Sequence, residues 1–131
     1  MNISFDFDGV LSEPHMQKVA VNAMLEGHNV CVTTARFEHP SMPFINKDVW
    51  KTCEQLGIYK HSIRFTNGTE KSKLLAKFDA HFDDCLITLD EIRQANKSIK
   101  LYYCHENRHV YDFDEFDVKV KRSEAGIIYY E

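Results

Sequence analysis

The chain is expected to fold as an α/β protein, a parallel sheet with helices on both faces and a short β-rich extension at its C-terminal end. Three observations point there. Apolar, β-branched runs of strand length alternate with amphipathic helical stretches from residue 3 to residue 104. That βαβαβαβαβ order is what right-handed crossovers between parallel strands require. Several of the strand-like runs end in carboxylates or hydroxyls, at the sheet edge where such folds bind ligands. The length, 131 residues, suits one domain with a sizeable core and no covalent staples. The alternation divides it into a core over residues 1–104 and an extension of the same domain over residues 105–131.

The first strand lies in Ile3-Ser4-Phe5-Asp6-Phe7-Asp8-Gly9-Val10-Leu11, an apolar, aromatic run that ends in two carboxylates and a glycine. Alternate strand residues face opposite sides, but the chain curls past the last ladder bond, so Asp6 and Asp8 are expected to face one polar pocket. Pro14 suits the first turn of a helix. Met16, Val19, Ala20, Ala23 and Met24 then form one apolar stripe, and Gly27 ends it. Asn29–Thr34 reads as the second strand, followed by Ala35-Arg36 and an irregular loop over Phe37–Asn46 of a length that is often functional. Asn46 is expected to cap a helix with Val49, Trp50, Cys53 and Leu56 inward and Gly57 at its end.

His61–Thr66 reads as the third strand and Asn67-Gly68 as a turn. Thr69 is expected to open a helix that buries Leu74, Leu75 and Phe78, with Lys71 and Lys73 near its first turn. A cation there opposes the helix dipole and suggests an anion to meet. Ala80–Asp84 is a brief fourth strand ending in paired acids. Leu86, Leu89 and Ile92 mark another helix, and Ile99–Cys104 a fifth strand. In the extension, Tyr111–Glu115 repeats the Asp-Phe-Asp spacing without the apolar lead-in or the glycine, and reads as solvated surface. Val118–Lys121 and Gly126–Tyr130 look like two strands, a hairpin suited to a protected sheet edge or to pairing with a second copy of the chain.

Composition narrows the class. A net charge of −4 argues against a dedicated nucleic-acid-binding surface and leaves nucleic acid only as a substrate. No apolar run approaches the roughly 20 residues of a membrane span, and no leader precedes the first strand, so a cytoplasmic protein is expected. Cys31, Cys53, Cys85 and Cys104 are scattered without a Cys-x-x-Cys pair, which suits a reducing compartment and indicates no zinc site. The seven histidines show no metal-ligand spacing and are each expected on the surface or in loops.

Two close carboxylates repel each other and are costly to desolvate, and a hard divalent cation with oxygen ligands, Mg2+ above all, relieves both. Asp-x-Asp after strand one, a hydroxyl after strand two, a lysine before strand four and Asp-Asp after it stand in one order along the chain. Together they resemble the four motifs of the haloacid dehalogenase superfamily over residues 1–104. The resemblance implies a three-layer, Rossmann-like fold with strand order 3-2-1-4-5 and Mg2+-dependent phosphoryl transfer. By that likeness Asp6 is the nucleophile that forms an aspartyl-phosphate, and Asp8 is the acid that protonates the leaving oxygen and then deprotonates water. Dehalogenase members lack this second acid, so a phosphatase is favoured.

The same likeness assigns Mg2+ to Asp6, the carbonyl of Asp8, and Asp83, with Asp84 as an alternate ligand. It assigns phosphate to Thr34, with Thr33 facing away, and to Lys71 in preference to Lys73. Ala35 and Arg36 are possible substrate contacts, although a surface salt bridge explains Arg36 equally well. Family members that act on small metabolites often carry an inserted cap; here only Val10–Glu13 and the Phe37–Asn46 loop stand at the two insertion points. An open cleft admits phosphate on larger molecules, which places a nucleotide or nucleic-acid-end phosphate ahead of sugar phosphates and gives the loop control of specificity. The competing expectation is a catalytically silent phosphate-binding or protein-interaction module. A response-regulator receiver fits poorly, because its phosphorylated aspartate ends strand three, where this chain has Phe65-Thr66.

Overall fold

The computed structural model describes residues 1–116, 120–122 and 128–130. In chain order its elements are β1 (Asn2–Phe5), α1 (Pro14–Leu25), β2 (Asn29–Thr34), α2 (Lys47–Leu56), β3 (Ile63–Phe65), β4 (Ala80–Asp83), α3 (Leu86–Ala95), β5 (Lys100–Cys104), β6 (Val110–Asp112), β7 (Val120–Arg122) and β8 (Ile128–Tyr130). Six strands form one sheet in the order β3-β2-β1-β4-β5-β6. The first five run parallel, in the expected order, and β6 joins antiparallel to β5.

β1 sits at the middle, bonded to β2 on one side and β4 on the other, so Ile3, Ser4 and Phe5 are all buried. On one face, Phe5, Val30 and Val32 pack with Met16 and Ala20 of α1 and Val49 and Cys53 of α2. On the other, Cys31 and Leu101 pack with Leu89 and Ile92 of α3 and with Leu75 and Phe78 of the segment before β4. The result is three layers, with polar residues gathered where β1 and β4 end. All four cysteines are free. Among the described residues, no helix is long and apolar enough to cross a membrane.

Several expectations need correction. The helix expected from Thr69 is only a 3-10 turn, Lys71–Leu74. An N-cap hydroxyl must accept from the first-turn N–H groups, whereas Thr69 Oγ1 donates to the Thr66 carbonyl (2.7 Å), and the segment returns directly to β4. Lys71 therefore owes its place to a buried ion pair and not to a helix terminus. Asn46 makes no side-chain cap for α2; it is buried, and its amide donates to the Phe37 carbonyl at 2.9 Å, holding the loop against β2. Val19 lies at the solvent edge of the α1 stripe, 36% exposed, while Met16 and Ala20 are fully buried.

The extension starts as sheet. β6 adds a sixth strand that the reading of Tyr111–Glu115 as surface omitted, although Asp114 is exposed there and pairs with Arg93. β7 and β8 form the expected antiparallel pair; Val118, Lys119, Gly126 and Ile127 lie outside the described residues.

Candidate active site

The chain leaves β1 through a tight turn in which the N–H of Leu11 donates to the Asp6 carbonyl (3.1 Å) and that of Ser12 to the Phe7 carbonyl (2.9 Å). Gly9 takes φ +77°, and a Cβ built there would run into the Asp84 carboxylate. Glycine is thus required twice, by a left-handed backbone and by the approach of an acid from the neighbouring strand end.

This turn leaves Asp6 buried at the end of β1 beside Asp83 at the end of β4. Lys71 Nζ reaches between them from the 3-10 turn and donates to Asp6 Oδ1 (2.8 Å) and Asp83 Oδ2 (2.7 Å). Asp84 completes the group: one carboxylate oxygen from each of Asp6, Asp83 and Asp84 lies within 4.8 Å of the others. Lys71 is buried and Lys73 exposed, so the structure brings the preferred lysine to the acids.

The three acids are not equivalent. Burial, followed by the charge of Asp83, pushes Asp6 up to about 8, against the lowering effect of Lys71. Burial alone would also raise Asp83, but the hydrogen bond from His81 and the charge of Lys71 overcome it and hold that carboxyl at about 2. Asp84 is raised, first by burial. Near neutral pH Asp83 is thus ionised, and Asp6 keeps its proton in a cluster where one ammonium faces three carboxyls.

His81 corrects the assignment of every histidine to surface or loop. It is completely buried in β4, with Nε2 2.8 Å from Asp83 Oδ2 and Nδ1 3.0 Å from Ser4 Oγ. Ser4 Oγ in turn lies 2.8 Å from Thr33 Oγ1. Burial lowers the affinity of His81 for a second proton. Because ionised Asp83 only accepts, the neutral ring donates through Nε2 and accepts the Ser4 hydroxyl at Nδ1. This row, Thr33 to Ser4 to His81 to Asp83, crosses three strands beneath the acids and fixes the Asp83 carboxylate. Its signal was present in the alternation of β4, since residues two apart share a face and His81 stands two before Asp83.

Asp8 does not join the cluster. Its side chain is exposed and gripped by Arg36, whose Nε and Nη2 donate to Asp8 Oδ2 (2.9 Å) and Oδ1 (2.7 Å). The same guanidinium donates through Nη1 and Nη2 to both oxygens of Asp48, each at 2.7 Å, and lies 5.2 Å above the Phe7 ring. The expectation that Asp6 and Asp8 share one pocket is therefore wrong for the side chains: ψ 124° at Asp8 turns its carboxyl to the β2 side, where a bidentate partner waits. Arg36 is held in salt bridges, and Asp48 escaped notice because it lies distant in sequence.

Thr34 is buried at the end of β2, and its hydroxyl accepts from the Arg36 N–H at 3.3 Å, a strand-end cap. Thr33 faces the opposite side from Thr34 but not away from the site as expected, because its hydroxyl joins the Ser4–His81 row that holds Asp83. Ala35 is exposed and makes no side-chain contact with the acids among the described residues. Chemically, the arrangement offers a buried carboxyl of high proton affinity, two further carboxyls, a fixed ammonium and a surface acid on an arginine clamp. No protein-family model, curated protein or solved structure matches the chain.

Proposed function

We propose that the chain is a Mg2+-dependent phosphomonoester hydrolase of the haloacid dehalogenase type, working through an aspartyl-phosphate on Asp6. The observation that carries this reading is the Asp6–Lys71–Asp83 bridge with Asp84 beside it. The donor set is all carboxylate oxygen, which suits a hard cation, and a single ammonium faces three carboxyls, with Asp6 raised first by burial and then by the charge of Asp83. Asp6, Asp83 and Asp84 would hold Mg2+ through their carboxyls and Asp8 through its backbone carbonyl. Mg2+ supplies the positive charge that lets Asp6 ionise near neutral pH and that offsets charge on a transferring phosphoryl group.

The protein's own groups do the rest. Asp6 attacks phosphorus in line. Lys71 turns one N–H toward a phosphoryl oxygen while keeping Asp83 oriented, and the His81–Ser4–Thr33 row stops Asp83 from rotating. Asp8, released from Arg36 and carrying a proton taken from solvent, would give it to the departing oxygen and then take one from the water that attacks the aspartyl-phosphate, which releases phosphate and restores Asp6. Thr34 and Arg36 border the phosphate position, and the substrate class is a nucleotide or a nucleic-acid end. A silent binding module is the second reading, favoured by one observation: the Lys71 bridge satisfies Asp6 and Asp83 without a metal.

Phosphate release from a panel of phosphomonoesters, with and without Mg2+, separates the two. Turnover is expected to need the metal and to vanish in Asp6→Asn. No turnover by the native chain on any member would leave the binding module as the better account, and equal turnover by Asp6→Asn would remove the aspartyl-phosphate on Asp6.

A further inference from the structure

On the β2 side of Asp8, Arg36 spends its donors on Asp8 and Asp48 above the Phe7 ring, and the shallow cleft beyond it has none of Asp6, Asp83 or Asp84 in its lining. The opposite side is open. A cavity of about 560 Å³ lies there, walled by Gly9 and Asp84 of the cluster, by Glu13 and His15 at the start of α1, and by Glu106 and Arg108 of the β5–β6 turn. Its volume lies within the roughly 300–1,000 Å³ typical of small-molecule sites. Asp84 belongs both to this wall and to the acid cluster, so the cavity is continuous with the position where phosphorus would react.

The turn that forms the wall is built to hold one side chain in place. The N–H of His105 donates to the His109 carbonyl (3.0 Å), and that of Arg108 to the His105 carbonyl (3.0 Å). Asn107 Oδ1 accepts from the His109 N–H at 2.9 Å. Arg108 takes φ +70°, a left-handed conformation that is strained for a residue with a Cβ. No ion pair engages Arg108, Glu13 or Glu106 among the described residues. Arg108, Glu13 and Glu106 are exposed in the wall of a cavity beside the acids and are free to meet a ligand there.

The chemistry of the lining says which. With Asp84 committed to the acid cluster, Glu13 and Glu106 face one guanidinium, a balance that repels a leaving group carrying further phosphates. Acceptors and donors interspersed around a polar cavity match hydroxyls, each of which gives one hydrogen bond and accepts others. Resting on the hydrolase reading, we propose that this cavity receives the leaving group of the phosphomonoester and selects a neutral, polyhydroxylated unit. Glu13 and Glu106 accept from its hydroxyls and Arg108 donates to them. A pentose and a nucleoside share that chemistry, which narrows the substrate class proposed above to the nucleotide or its sugar phosphate and disfavours a nucleic-acid end, whose next phosphate Glu13 and Glu106 repel.

The test is calorimetric binding to Asp6→Asn protein in Mg2+, which reads the cavity with the nucleophile removed. Ribose 5-phosphate and adenosine 5′-monophosphate are expected to bind about tenfold or more tightly than phenyl phosphate, whose leaving group has no further hydroxyl. Adding Arg108→Ala should erase that margin and leave phenyl phosphate unchanged, Arg108→Lys should restore part of it, and Glu106→Gln should reduce it without altering the left-handed residue. The tighter of the two ligands tells a sugar from a nucleoside. Three results overturn the proposal: phenyl phosphate bound as tightly as the other two, a 5′-phosphorylated oligonucleotide bound more tightly than adenosine 5′-monophosphate, or Arg108→Ala weakening all ligands equally. An inactive native enzyme would sink the hydrolase reading alone, because these arms do not depend on turnover.

Discussion

Asp6 keeps its proton up to about pH 8, against an ordinary 3.8, chiefly because burial disfavours its charge. Between those values the folded chain holds a proton that the unfolded chain has released, so stability falls as pH rises through the window. Asp84, also raised, acts with the same sign. His81 acts oppositely: its affinity is lowered from 6.5, so protons bind the unfolded chain first and stability is lost as pH falls below that value. Above 6.5 the acids are left to dominate. In metal-free buffer the melting temperature of the native chain should drop from pH 6.5 to 8, and that of Asp6→Asn should change much less. Parallel profiles would mean that Asp6 is already ionised in the fold. The sequence displayed Asp6 and its neighbours but not this asymmetry, because burial and the His81 bond decide it.

At the scale of elements, the register of the parallel strands lines up Phe5 with Phe82 and Phe82 with Tyr102. Their rings stack at 4.7 and 4.6 Å between centroids. This row ties β1 to β4 and β5 directly beneath the edge that carries Asp6 and Asp83. Phe82→Ala should lower unfolding free energy by about 3 kcal/mol, read as an earlier denaturant midpoint with the slope preserved, and Phe82→Leu by less. A loss below about 1 kcal/mol would show that the stack adds nothing to ordinary burial. The strands themselves were legible from their apolar runs. The third crossover was not, since Leu74, Leu75 and Phe78 suit a helix equally well, and the choice fell to Thr69 bonding backward and to Lys71 being drawn inward.

For the whole molecule, three carboxyls and one ammonium meet at the central strand ends, and on the proposed reading a cation bound there is expected to stabilise the fold. Mg2+ at a hundredfold above its dissociation constant should stabilise the fold by about 2.7 kcal/mol, seen as a rise in melting temperature that chelation reverses and that Asp83→Asn abolishes. An equal rise in Asp83→Asn would place the ion elsewhere. The parallel α/β sheet and the acids at its edge were legible in the sequence, because hydrophobic periodicity and strand-end composition are local; the central position of β1 was implied only by the likeness of the motif order, and Lys71 was preferred for a helix start that the fold replaces with a 3-10 turn. Only the tertiary structure decided that Asp8 turns away to Arg36, that Asp48 closes that clamp, that His81 is buried against Asp83, and that the β5–β6 turn walls a cavity beside Asp84. All but the His81–Asp83 pair, which share β4 and one of its faces, join residues from different strands and turns. Contact between residues distant along the chain is set by register and packing, which no local pattern encodes.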